Sequence, residues 1–194
     1  MTTDFAFRKR AVGTLTKEKG VYVLCDLDGV PMYVGQSAGQ GIRQRVQRHL
    51  TSARSDVIAN RQFDVWEVGH VWSYPVEGKE EANKLESSLY HRYHTAESRL
   101  MSGKVPRQYP VVEIPEPAQR VQVMAQSEID QKRDPSQRLP RQAAHYSQIV
   151  NHFIHVKNSV EVAAGMQAHF QRLQKYHNSL LGTAEPEPDP DSDE

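Results

Sequence analysis

The chain has 194 residues, of which 38% are hydrophobic and 25% charged, with 24 Lys and Arg balancing 24 Asp and Glu. Those proportions exclude a chain that is disordered throughout and leave room for one ordinary domain with an extension, or for two small ones. The zero net charge hides an asymmetry: residues 185–194 carry six acids and no base, so residues 1–184 set 24 bases against 18 acids, a mildly basic body compatible with a polyanionic partner.

Cys25 is the only cysteine, which rules out a disulfide framework or a cysteine-based zinc site within one chain and fits a reducing, intracellular setting. No run approaches the roughly twenty apolar residues of a membrane span. Phe5-Ala6-Phe7 precedes Arg8-Lys9-Arg10, the wrong order and length for a signal peptide. The expectation is a cytoplasmic protein with no membrane association.

In chain order, residues 1–17 are polar and weakly periodic, and read as a flexible segment; the alternative for Arg8-Lys9-Arg10 is a DNA-contacting arm. Val21–Leu24 and Met32–Val34 flank Asp26-Leu27-Asp28-Gly29, a hairpin signal that places Tyr22 and Tyr33 on paired strands. After a flexible turn at Gly39 and Gly41, the spacing of Ile42, Val46 and Leu50 predicts a helix that frays near Ser55. Arg45 and His49 form a second stripe at the edge of its buried face.

Within residues 60–75, Phe63, Val65, Val68, Val71 and Trp72 predict a third strand with a bulge or turn at Gly69. Trp66 and Trp72 read as core or rim packing in preference to base-stacking platforms. Gly78 opens a helix whose stripe is Ala82, Leu85, Leu89 and Tyr93, with Glu86 at the border between the buried face and a cleft. Residues 95–117 read as loop or edge structure, in which Lys104, Arg107 and Tyr109 either extend a nucleic-acid surface or sit in a solvated loop.

Beyond Pro117, residues 118–130 are helical in pattern, 132–141 polar, and two longer helices are expected over about 142–157 and 159–181. Their apolar stripes predict core packing or an oligomer interface, a homodimer being the natural form. His145, His152, His155, His169 and His177 lack a ligand spacing and read as surface or packing histidines, not as a zinc site. The proline-rich acidic tail reads as disordered, with a charge suited to competing with nucleic acid for the basic surface.

Gly20-Val21-Tyr22, then Tyr33-Val34-Gly35, then Arg45-x-x-x-His49, and finally Leu85-Glu86 on the later helix resemble the GIY-YIG nuclease superfamily over about Lys19 to Thr95. The resemblance implies an α+β fold: a small three-stranded antiparallel sheet flanked by helices over 18–116, followed here by a helical extension over 117–182 and a disordered acidic tail over 183–194. It implies a metal-dependent endonuclease acting on DNA, with RNA as a further option. Glu86 would bind one Mg²⁺ (or Mn²⁺), and Tyr22 would orient or deprotonate water. Tyr33 would bond the phosphate or the water network, Arg45 and His49 would supply positive charge, and Gly20 and Gly35 would allow close backbone packing.

Arg43, Arg48, Lys104 and Arg107 are candidate nucleic-acid contacts. The Arg-x-x-x-His register selects Arg45 over Arg43 as the family arginine. An asparagine that many members carry beyond the glutamate helix has no counterpart, since no Asn lies between Asn83 and Asn151, and Gln108 is the candidate substitute. Two alternatives stand beside the enzyme: a module of the same fold that binds without cutting, and an adaptor whose helical half does the work.

Overall fold

The structure is a computed structural model and describes residues 5–37, 39–51 and 63–183. Its central strand is β1 (Gly20–Cys25), whose six residues are all buried. Val21, Val23 and Cys25 enter one apolar layer, and Tyr22 and Leu24 the other. A strand covered on both faces reads as a continuous apolar run. β2 (Pro31–Ser37) and β3 (His70–Pro75) pair antiparallel with β1 on its two sides. The expected hairpin turn forms because Asp26 Oδ1 accepts from the amides of Asp28 (3.0 Å) and Val30 (2.9 Å), and Gly29 takes φ +80°.

Three helices clothe the sheet. Val12 of α1 (Phe5–Gly13) and Ile42, Val46 and Leu50 of α2 (Ile42–Thr51) cover the face of Tyr22 and Leu24. Ala82, Leu85 and Leu89 of α3 (Lys79–Tyr93), which starts after Gly78, cover the face of Val21 and Val23. The position near Ser55 and the acidic tail from residue 184 lie outside the described residues.

Several sequence expectations are corrected. The sheet has four strands, not three: β4 (Gln119–Gln122) pairs with β3, in the order β2-β1-β3-β4. Val121, Met124 and Ile129 imitate helical spacing, yet the helix there, α4 (Gln126–Arg133), begins only after the strand has ended. Phe63 to Val68 is not strand, because Asp64 caps a 3₁₀ turn at Val65–Glu67. The N-terminal segment is helical from Phe5, and Arg8 points inward, 1% exposed, donating to the carbonyls of Val65 (2.9 Å), Val68 (3.0 Å) and Val123 (3.3 Å). Burial lowers its pKa to about 10, and Trp66 lies 4.7 Å from its guanidinium as rim packing. Trp72 likewise packs at the edge of the core, against Tyr93.

The polar stretch before residue 142 is already helix. α5 (Pro135–His155) starts on a proline at its first position, with Asp134 as cap, and carries Pro140 inside it. α6 (Val160–Leu181) runs from a Ser159 cap to Gly182 in the left-handed conformation. The faces these helices bury are largely polar: Arg138, Gln142, Ile149 and His152 on α5, and Val162, Gly165, Ala168, His169, Arg172 and Tyr176 on α6. Ile154, Phe170 and Leu180 are left exposed. Among the described residues no helix is long and apolar enough to cross a membrane.

Ion pairs dock this helical pair. Arg138 donates Nε to Glu67 (2.7 Å), Nη1 to Asp28 (2.6 Å) and Nη2 to Tyr176 (3.2 Å). Arg141 spans Asp64 and Glu67, Gln142 donates to both at 3.0 Å, and Arg172 binds Asp26 and the Pro31 carbonyl. Burial lifts the Glu67 carboxyl above its ordinary value against the pull of Arg138 and Arg141; at Asp28 burial also pushes up, but Arg138 and Arg133 prevail and hold it below.

Two predictions follow from this docking. Arg138→Ala leaves buried Glu67 without a principal partner and is expected to cost about 3–5 kcal/mol in urea unfolding. Arg120→Ala, which removes an exposed pair with Glu116, should stay within about 1 kcal/mol. The second concerns His169, 1% exposed, whose pKa is depressed to about 3 by burial, then by His145 and Arg172. The unfolded chain takes that proton near 6.5, so stability is full above about 6.5 and falls as pH drops towards about 3. His169→Leu should flatten the pH dependence of unfolding in that window; an unchanged slope would show that other groups set it.

Candidate active site

The site is built at the β2 edge of the sheet, where side chains from both faces converge. Tyr33 and Gly35 point to the α2 face, and Val34 and Gln36 to the α3 face. Tyr22 stands opposite Gly35 in the β1–β2 ladder. A Cβ at Gly35 would lie 2.7 Å from Tyr22 Oη and 2.7 Å from Tyr33 Cε1, so only glycine lets both rings pack over the strand. The rings stack with centroids 6.2 Å apart.

From α2, His49 meets Tyr22 in a 2.7 Å hydrogen bond between Nε2 and Oη, with both residues fully buried. Burial, then Tyr33, pushes the Tyr22 phenol well above its ordinary value; Arg45 pulls it down by charge and hydrogen bond without prevailing. Arg45 lies one turn before His49 and reaches the open side of the cluster, lining a cleft of about 630 Å³ with Tyr33, Gly35, Gln36 and Glu86.

Glu86 comes from α3, on the other face. Gln36 Nε2 donates to Glu86 Oε2 (2.6 Å) and Asn83 Oδ1 (2.9 Å), and Asn83 Nδ2 donates to Tyr109 (3.3 Å). Burial raises the Glu86 carboxyl above its ordinary value, and the Gln36 hydrogen bond pulls in the opposite direction. The rest of the wall comes from the loop Ser102-Gly103-Lys104 and from Lys157 and Glu161, at the junction of α5 and α6.

The structure thus brings Tyr33, Gly35, Arg45, Glu86 and Lys104 to one cleft and seals Tyr22 and His49 behind it. Gly20 lies apart, facing Ser37, where a Cβ would fall 2.2 Å from the Tyr74 carbonyl oxygen. Arg43 is turned away from the cleft, donating to the Leu15 carbonyl (2.6 Å). Arg48 is half-buried and does not line the cleft, and Arg107 is exposed beside Tyr109. Gln108 is also exposed and outside the cleft; the side chain bonded to Glu86 is Gln36, which is itself bonded to Asn83. Strand alternation could have identified Gln36: if Tyr33 faces α2, the residue three further on faces α3. Nothing local to Lys157 or Glu161 signals their arrival.

A larger cavity, about 790 Å³, lies at the start of α3 between Val76, Glu80, Glu81, Lys84 and Glu113. It holds none of the expected residues apart from the border of the α3 stripe, and chemistry favours the smaller cleft. Comparison of the chain with family models, with curated proteins and with solved structures finds no match.

Gly35→Ala is expected to displace one tyrosine and cost about 1–3 kcal/mol. Chemical denaturation gives the cost and near-ultraviolet circular dichroism the loss of tyrosine order; wild-type values for both would mean that the strand yields freely.

Proposed function

We propose that the chain is a metal-dependent endonuclease of the GIY-YIG type, hydrolysing DNA phosphodiester bonds. The observation that carries this reading is the meeting of Arg45, Tyr33 and Glu86 from α2, β2 and α3 in one cleft. Phosphodiester hydrolysis needs an activated water, a polarised phosphate and stabilisation of developing charge. Arg45 is a forked cation suited to two phosphate oxygens. Tyr33 is the phenol in the cleft and takes the position beside the water.

Tyr22 lies behind Tyr33, its ring stacked on it, and is hydrogen-bonded to His49, which puts a buried imidazole behind the phenol of the cleft. A proton leaving the water passes to Tyr33 oxygen as the Tyr33 proton moves to Tyr22 and the Tyr22 proton to His49 Nε2. No phenolate need persist, but the imidazolium formed is buried as well, so it would be held only for the duration of the transfer. Tyr22 then acts as relay and not as the base itself.

Glu86 suits a hard divalent cation. It is a hard oxygen ligand on the wall of an open cleft, and a largely hydrated Mg²⁺ or Mn²⁺ would be held there by that one carboxylate. When bound, such an ion supplies Lewis-acid polarisation of a phosphoryl oxygen and stabilises the leaving oxygen. Gln36 orients Glu86 and must share that carboxylate with the ion. The same bond favours a second reading, a module that binds nucleic acid without cutting, in which Gln36 permanently satisfies Glu86.

Labelled duplex, single-stranded and branched DNA, with an RNA strand alongside, would be incubated in Mg²⁺, Mn²⁺ or chelator. Cutting that needs metal and vanishes in Glu86→Ala at unchanged melting temperature is expected; binding without cutting on every substrate selects the second reading. Tyr22→Phe breaks the relay and should lower kcat by about 10²-fold or more. Its DNA affinity in chelator should equal that of wild type, and an unaltered kcat would remove the relay.

A further inference from the structure

We infer that the junction of α5 and α6 completes the substrate cleft: Lys157, with Lys104, grips a phosphate neighbouring the scissile one, and Glu161 serves as their resident counter-ion until a polynucleotide displaces it. This rests on the phosphodiesterase reading of the cleft and adds its substrate requirement, a strand that extends beyond the bond being cut.

Lys157 and Glu161 line the same cleft as Arg45 and Glu86 although the helical extension supplies them. Their placement follows from the docking of that extension. Arg138 and Arg141 of α5 are tied to Asp28, Asp64 and Glu67, and Arg172 of α6 to Asp26, so both helices are fixed to the sheet. The cleft therefore receives cations from three parts of the chain: Arg45 from α2, Lys104 from the loop after α3, and Lys157 from the turn 156–159.

The two carboxylates of the cleft differ in kind. Glu86 is largely buried and bonded to Gln36. Glu161 is the second residue of α6, and its carboxyl is held below the ordinary range by a backbone amide and the Ser159 hydroxyl, then by Lys157 and Lys104. Glu161 is an anionic group at a helix N-terminus that lines the same cleft as the two lysines, and in the inferred complex a phosphate takes over its role towards them. Lys104 and Lys157 are both exposed, so each can turn from Glu161 to a phosphate without unmaking the core.

The consequence is a distinction by substrate length. Bis(p-nitrophenyl) phosphate presents a diester with no neighbouring phosphate, whereas an oligonucleotide presents both. The full-length chain and its variants would be compared on these two substrates with Mg²⁺, and oligonucleotide affinity measured in chelator across a salt series. Lys157→Ala and Lys104→Ala are each expected to weaken oligonucleotide binding several-fold, to raise KM more than they change kcat, and to lower the slope of log affinity against log salt by about one. Turnover of bis(p-nitrophenyl) phosphate should fall by a clearly smaller factor than turnover of the oligonucleotide in both variants. Glu161→Gln should tighten oligonucleotide binding, and Lys79→Ala, an exposed cation outside the cleft, should leave affinity and slope unchanged.

Wild-type affinity and salt slope in Lys157→Ala, or an equal loss on both substrates, would overturn the inference while leaving the nuclease reading in place. Failure of the wild-type chain to bind or cut any nucleic acid would overturn that reading and this inference with it.

Discussion

The register of α5 against the rest of the molecule centres on one buried carboxylate, Glu67. It sits 1% exposed at the end of a 3₁₀ turn, where it accepts from Arg138, Arg141, Gln142 and Tyr176. Removing so many charges from water is costly, and a buried network of this kind often only breaks even against a well-packed apolar contact. Its contribution here is positional. An apolar face can slide by a turn and still be buried, but a guanidinium that must meet Glu67, Asp28 and Tyr176 together admits one register of α5. The turn after α5, which carries Lys157, is thereby fixed relative to β2.

The second constraint lies at the sheet edge. β2 has β1 on one side, while its outer side is covered over part of its length by the loop after α3, where the Met101 amide donates to Met32 O at 2.7 Å and Ser102 Oγ meets the Val34 backbone. That cover blunts an edge otherwise open to strand addition. It also brings Ser102, Gly103 and Lys104 to the cleft. An edge strand between two helices is a place where residues from opposite faces can meet, and Arg45 and Glu86 line one cleft here. Gly35 permits the tyrosines to pack on one face and Gln36 reaches the carboxylate on the other, so adjacent residues serve the two halves of the site.

Legibility in the sequence followed how local each signal was. The β1–β2 hairpin could be read because Asp26 and Gly29 make the turn with their own side chain and φ. The helices α2 and α3 could be read because their buried stripes are apolar. Arg8 could not: a basic triplet looks solvated, and nothing nearby shows that three carbonyls from Val65, Val68 and Val123 await one of its members. β4 was obscured because an edge strand reading Gln-Arg-Val-Gln has one apolar residue to signal with. On α5 and α6 the apolar pattern pointed partly outward, since ion pairing with distant acids buries Arg138 and Arg172 while Phe170 and Leu180 stay in solvent. Among site residues, Tyr33, Arg45 and Glu86 could be expected in one place, whereas Lys157 and Glu161 depend on long-range docking.

The burial of Tyr22 and His49 changes what the tyrosine pair can do. A phenol sealed from water is a poor candidate to be ionised at rest, because the charged form loses its hydration and Arg45 does not fully compensate. Sealing nevertheless strengthens the Tyr22–His49 hydrogen bond, which is kept from water and whose geometry is held by packing on both sides. Phe63 against Tyr33 and the tight fit at Gly35 supply that packing. The cleft then divides by solvation: an exposed side, with Lys104 and Lys157, and a dry side, with the buried Tyr22 and His49. Arg45 stands at the boundary, near enough to the phenols to act on Tyr22 and lining the open cleft, whereas Arg43 on the same helix is turned to the Leu15 carbonyl.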